Sequence, residues 1–185
     1  MSLLASTVRV GITGEVSVAP VGTAAPTTSV SALNASFVGL GYVAEDGVTK
    51  APTLTSQKIR AWQNAQLVRL LFTEKDWDLK FKLIESKGAV AGLYYGSTVA
   101  VVSAGQWSLV PDATSPDPRA FVLDVVDGSI HERIYVPTGY VTARGDVVYK
   151  SGEAIGHEVT ITCAYDTTIG APFKTFTDNT AWGYS

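Results

Sequence analysis

Residues able to do chemistry are few in this chain and widely scattered. His131 and His157 are the two histidines and Cys163 the one cysteine. A zinc site needs three or four such ligands, with pairs spaced closely enough for one turn to aim two of them at the ion. The two histidines instead fall in separate strand-like segments, where exposed strand positions account for them. Cys163 stands at an alternating apolar position of VTITCAY with no cation beside it in sequence. That pattern predicts a packed, inert thiol in place of a reactive thiolate. Asp124, Asp127 and Glu132 would make an acid–base pair only if folding brought them together, and turns or solvated strand faces explain them equally well.

Two short motifs name a chemistry by their letters. GLGYVA, Gly39 to Ala44, has the outline of a dinucleotide-binding turn. Such a turn must open a helix whose N-terminus receives the pyrophosphate, yet EDGVTKAP follows, so the glycines are expected to ease a strand bend. Arg144-Gly145-Asp146 spells a cell-adhesion tripeptide, and ordinary Gly-Asp turn chemistry suffices to explain it. No enzyme, metal site or cofactor is expected from these residues.

A third candidate is a basic, aromatic stretch from Thr55 to Ser86. It carries Lys58, Arg60, Arg69, Lys75, Lys80 and Lys82 among Trp62, Phe72, Trp77 and Phe81. Interleaving of this kind suits a nucleic-acid groove. Against that, the net charge is -3, which provides no general attraction for a polyanion. Glu74, Asp76 and Asp78 also lie within the stretch.

The elements that position these residues read mostly as strands. With 185 residues, 46% of them hydrophobic and 17% charged, the chain has enough apolar surface for one sizeable core. In VTITCAY, Val159, Ile161, Cys163 and Tyr165 alternate with Thr160, Thr162 and Ala164. Trp77, Leu79, Phe81 and Leu83 likewise alternate with Asp78, Lys80 and Lys82, after a turn expected at Thr73 to Asp76. VRVGITGEVSVAP, SFVGLGYV, RAFVLDVV, HERIYVP and DVVYK have the same character, separated by Gly, Pro, Asp and Ser clusters. A mainly β fold, sandwich or barrel, follows. One short flanking helix is expected in SKGAVAGLYYG, capped by Ser86 and ended by Gly96. Lys58 to Phe72 fits helical spacing and strand alternation about equally well.

The chain reads as one domain over 1–185, with extended loops at about 20–36 and 44–56 and a C-terminal arm at about 170–185. The first loop is uncharged, the second holds an Asp46-Gly47 turn, and Pro111 to Arg119 is too proline-rich to be regular. MSLLASTVRV lacks the basic start and apolar run of a secretory signal, so a reducing cytoplasm is expected. No apolar run approaches the roughly 18 residues of a membrane-spanning helix.

The ordered series GYVAEDGVTK, KIRAWQNAQLVRLLF, LKFKLIES, LYYGSTV, FVLDVVDGSIHERIYVP and ARGDVVYKSGEAIGHEVTITCAYD resembles the major tail tube proteins of long, non-contractile-tailed phages. It is most similar to those of actinobacterial siphophages, over about Val10 to Asp166. The resemblance implies a tail-tube fold shared with the type VI secretion tube protein. It implies homohexameric rings that stack around a tape-measure protein into a conduit for DNA, in the virion tail after assembly in the host cytoplasm. The further partners it implies are the tail terminator and the distal tail and tip proteins, with no membrane. It tips Lys58 to Phe72 toward strand.

Site expectations follow from that resemblance. Glu45, Asp46 and Lys50 are candidates for contact between rings. Asp76 and Asp78 are candidates for the lumen, where basic residues would hold passing DNA. Lys58, Arg60, Arg69, Lys80 and Lys82 are then expected on solvated or interface faces. Phe176, Trp182 and Tyr184 are candidates for contacts of the C-terminal arm, and the uncharged segment at 20–36 is expected to order on assembly. The alternatives are a self-contained β-sandwich binding or adhesion module and a tail terminator or connector of related fold.

Overall fold

A computed structural model describes residues 7–112 and 117–183. Ten strands and one helix follow in chain order: β1 (Thr13–Pro20), β2 (Val38–Gly39), β3 (Val43–Arg60), β4 (Leu67–Leu83), α1 (Gly88–Tyr95), β5 (Ala100–Ser103), β6 (Gln106–Ser108), β7 (Arg119–Asp127), β8 (Ile130–Arg144), β9 (His157–Cys163) and β10 (Lys174–Thr177). The expectation of a mainly β fold with one short helix is met.

One antiparallel sheet has the order β2-β1-β7-β8-β9-β4-β3. β8 serves both halves: Ile134 and Tyr135 pair with β10, whereas Gly139 to Arg144 pair with β9. The sheet curls because its apolar face must be covered. Val16, Phe121, Val136, Ile161 and Leu83, from five different strands, are all fully buried in one cluster with Val90 and Leu93 of α1. The two ends of the sheet approach each other through the segment at 38–43. Leu40 N–H donates to Val16 O in β1, and Tyr42 O accepts from Ile84 N–H just past β4.

Alternation places Val159, Ile161 and Cys163 of β9 in the core as the sequence predicts, but His157, expected at an exposed strand position, is buried on the same face. Tyr165, expected on the same face, lies beyond the strand and is exposed. In β4, Leu79, Phe81 and Leu83 are buried and Trp77 half-buried.

Several boundaries differ from expectation. Residues 44–56 are not a loop. Apart from a bulge between Val43 and Val48 that contains Asp46 and Gly47, they pair with β4 throughout. Gly47 takes φ +67 within that bulge, so the turn chemistry is real but only kinks the strand. Thr73 to Asp76 are likewise strand, and Lys58 to Phe72 are two strands joined by a tight turn at Gln63–Ala65. Helix α1 ends at Gly96 as expected, but its N-cap is Lys87, which donates no side-chain cap; Ser86 precedes it. GLGYVA, expected to ease a strand bend through its glycines, is the crossing segment itself. Gly41 (φ +83) passes so close to the Glu85 carboxylate that a Cβ would collide with it, and Glu85 accepts from Tyr42 N–H at 2.8 Å. No helix follows it.

Candidate functional site

The most unusual surface is the β3–β4 hairpin. β4 pairs with β9 only from Asp78 to Leu83, so from Thr53↔Asp76 outward the two strands form a ribbon without a third. Seven further residues of β3 at about 3.3 Å each carry it more than 20 Å from the body. A two-stranded ribbon alone is marginal in water.

Register decides what each face of the ribbon presents. Pro52 and Trp77, opposite one another, continue the face that covers the core. Farther out, the same face carries the pairs Leu54↔Lys75, Ser56↔Phe72, Lys58↔Leu70 and Arg60↔Leu67. Its apolar members have no core beneath them: Leu54 is 63% exposed, Phe72 55%, Leu67 51% and Leu70 42%. The other face carries Thr53↔Asp76 and Thr55↔Glu74, continues inward to Asp78, and farther out bears Gln57↔Leu71 and Ile59↔Arg69. Next to the body the ribbon therefore keeps the amphipathic pattern of a covered strand pair after the cover has ended, and toward its end both faces mix apolar and basic residues.

Asp76 and Asp78, the two lumen candidates, share the polar face of β4, Asp76 being in the strand and not in the turn expected there. Asp78 accepts from Thr162 Oγ1 at 2.6 Å and Thr53 Oγ1 at 3.4 Å, and Thr55 Oγ1 donates to Glu74 at 2.9 Å. Lys80, on the same face, is tied to Glu158 at 2.7 Å. The face thus alternates hydroxyls with carboxylates, and its Lys80 is paired with Glu158. Lys58, Arg60, Arg69 and Lys80 are exposed and Lys82 half-buried.

Glu45, Asp46 and Lys50 do not form one group. Glu45 and Asp46 are exposed on the bulge, bordering a hollow between β1 and the start of β3. Lys50 lies opposite Leu79 and its ammonium sits 5.2 Å from the centre of the Phe173 ring. The C-terminal candidates also separate. Phe176 belongs to β10 and packs on the buried cluster of Ala120, Val122 and Tyr135, so packing within its own chain accounts for it. Trp182 remains more than half exposed in a short turn, and Tyr184 lies outside the described residues.

The segment at 20–36 is irregular, yet it is anchored within the chain. Arg133, 7% exposed, donates from Nε and Nη2 to both Asp124 oxygens and from Nη1 to the carbonyls of Thr28 and Ser31. Leu33 and the adjoining Phe37 pack against the Ala120 cluster. The expectation that the segment orders on assembly did not foresee these contacts within one chain, and sequence alone offered no way to see that Arg133 faces it. Beyond it in the proline-rich stretch, residues 113–116 lie outside the described residues.

The other chemical candidates resolve plainly. Burial, helped by the Asp78 charge, pushes the Cys163 thiol up to about 12, so it is inert at neutral pH. His131 pairs with Asp178, and His157 is buried at the foot of α1 with Tyr94 and Tyr95 against it. Burial lowers the His157 pKa and keeps the ring neutral. Arg144 donates to Tyr94 O, and Gly145 is bonded to Glu158 O and Tyr94 Oη. The adhesion tripeptide is thus stitched to α1 and β9 by its first two residues. Among the described residues no group of acids, histidines and cysteine could hold a metal ion, and no helix is long and apolar enough to cross a membrane.

The fold is thus an antiparallel sheet around one core from which a long hairpin projects without a third strand. A family model described as phage tail tube protein matches residues 1–182, and the chain belongs to that family of structural virion proteins. No curated protein matches it.

Proposed function

We propose that this chain, as a single domain over 1–185, is the major subunit of a siphophage tail tube. Six copies close into a ring, and rings stack around the tape-measure protein into a conduit for DNA. The observation that carries the reading is the uncovered apolar face of the β3–β4 ribbon, which a neighbouring copy would complete. The free strand edges of the ribbon would pair with that neighbour, removing an aggregation liability by closing the sheet into a ring.

The inner part of the polar face, with Asp76 and Asp78, suits the lumen, since Lys80 there is neutralised by Glu158; Arg69, farther out on the same face, would then lie toward a neighbouring subunit. Glu45 and Asp46, exposed on the bulge, are read as contacts along the tube axis, and Lys50, apart from them over the Phe173 ring, as a separate candidate for such a contact. Trp182 and Tyr184 are read as contacts of the C-terminal arm, with Phe176 holding that arm to β8. The role is structural, without catalysis. Assembly takes place in the host cytoplasm with the terminator and the distal tail and tip proteins, and the tip supplies the nucleus. The similarity to tube proteins of actinobacterial phages favours such a host.

The test is a hairpin truncation joining Thr53 to Asp76 through a two-residue Asn-Gly turn. The truncated protein is expected to fold, by circular dichroism, and to form no rings or tubes under the electron microscope. Tubes formed as readily by the truncated protein would refute the reading.

A further inference from the structure

The two ends of β3 present opposite charge. At the inner end lies the hollow between β1 and the bulge, with a volume of about 650 Å³. Glu15 stands on its β1 bank and Glu45 and Asp46 on its bulge bank, all three exposed, and no lysine or arginine lines it. Two large apolar residues of its lining are uncovered, Ile12 at 69% and Tyr42 at 74% exposure. β1 pairs with β2 only at Ser17 and Val18, so among the described residues no strand flanks Thr13 to Glu15 on the side away from β7.

At the outer end, between Gln57 and Leu71, the ribbon carries Lys58, Arg60 and Arg69 and no acid. Lys58 and Arg60 lie on one face and Arg69 on the other. The turn is closed by Ala61 N–H donating to Gln66 O at 2.8 Å and braced by Arg60 Nη1 donating to Ala65 O at 3.0 Å. Beside that brace Trp62 is 98% exposed. Tryptophan and arginine are the residues most enriched at the energetic centre of protein interfaces. Among the described residues none of the three cations is paired with an acid, and none of the three acids of the hollow is paired with a cation.

The complementary patches cannot meet within one chain. Roughly twelve residues of β3 at about 3.3 Å each hold Val48, at the hollow, about 40 Å from Arg60, at the turn. The geometry points to the basic ribbon end of one copy seated in the acidic hollow of a second copy. Acids on both banks then meet cations on both faces of the inserted ribbon, and Trp62 gains a cover that its own chain does not provide. The inference rests on the tube reading, in which the neighbours of each subunit are copies of itself, and it names the partner of Glu45 and Asp46. Ribbon end and hollow are different surfaces, so the contact is heterologous: each joined pair keeps one of each free, and the contact propagates.

The experiment reverses charge on the full chain in two variants, Lys58→Glu with Arg69→Glu on the ribbon and Glu45→Lys with Asp46→Lys on the hollow. All four side chains are exposed, and circular dichroism checks the fold of each variant. Sedimentation across a concentration series, with tail-tip components of the same virion present, reads association. Each variant alone is expected to need on the order of 30-fold more protein to associate, because two attractive pairs become repulsive. An equal mixture is expected to return to the wild-type threshold. In it the acidic ribbon of one variant meets the basic hollow of the other, and the remaining basic ribbon meets the remaining acidic hollow. Unchanged thresholds for both variants, or a mixture no better than its parts, would overturn the contact; wild-type rings or tubes under the microscope would then leave the tube reading standing. Restored association of the mixture, with no rings or tubes in any sample, would support the contact and remove the tube reading. No association of the wild-type chain would overturn both. A ribbon variant that loses only binding to a duplex DNA oligonucleotide, at an unchanged threshold, would assign the basic end to nucleic acid and overturn the contact.

Discussion

Replacing Leu70 and Phe72 by threonine tests the bare ribbon face with a magnitude that can be worked out beforehand. Full burial of such a side chain contributes about 1.5–3 kcal/mol. In the lone subunit Leu70 is 42% and Phe72 55% exposed, so a neighbour can cover only about half of each. The pair then contributes about 2 kcal/mol to association, taking the middle of that range. At 1.4 kcal/mol per tenfold, Leu70→Thr with Phe72→Thr should raise the concentration needed for assembly by about 30-fold. Threonine keeps the strand preference, and substitutions at exposed sites shift stability by only about 0.5 kcal/mol. Sedimentation across a concentration series reads the threshold, and a thermal melt reads the fold. An unchanged threshold with an unchanged melt would refute the argument from the ribbon.

Other residues give independent checks. Arg133→Met leaves Asp124 without its bidentate partner and the Thr28 and Ser31 carbonyls without a donor; a loss of about 3 kcal/mol is expected, or roughly 6–12 °C in Tm, with faster limited proteolysis within 20–36. His157 has a lowered folded pKa, so its contribution is complete above the unfolded value of 6.5 and is lost as pH falls below it. His157→Gln should flatten the stability profile between neutral and mildly acidic pH, measured by urea unfolding. Asp178 accepts from the main-chain N–H and Nδ1 of His131, which lowers its pKa below 3.8. Its contribution is therefore present above 3.8 and lost as pH falls through the lowered value. Asp178→Asn should speed hydrogen exchange at residues 178–182 at neutral pH while leaving the β9 amides protected.

Much of the fold was legible because burial imposes a period of two. Val159, Ile161 and Cys163, or Leu79, Phe81 and Leu83, announce their strands through the side chains that must be covered. The ribbon obeyed the same alternation but lacked the cover, so Pro52, Gly47 and the polar residues around them read as loop. Its apolar face becomes visible only once register sets Leu54 opposite Lys75 and Ser56 opposite Phe72. The shared face of Asp76 and Asp78 was within reach of alternation. The Arg133 clamp was not, because it joins residues about a hundred positions apart through the sheet. Nor could Lys50 be separated from Glu45 and Asp46 without knowing that those two acids sit in a bulge, outside the register that sets Lys50 opposite Leu79.

The most direct measurement is negative-stain electron microscopy of the purified protein at high concentration, with molar mass from light scattering. Hollow filaments of uniform width, a regular axial repeat and six-fold end views are the predicted result. Monodisperse monomers that persist after addition of tail-tip components from the same virion would contradict the account.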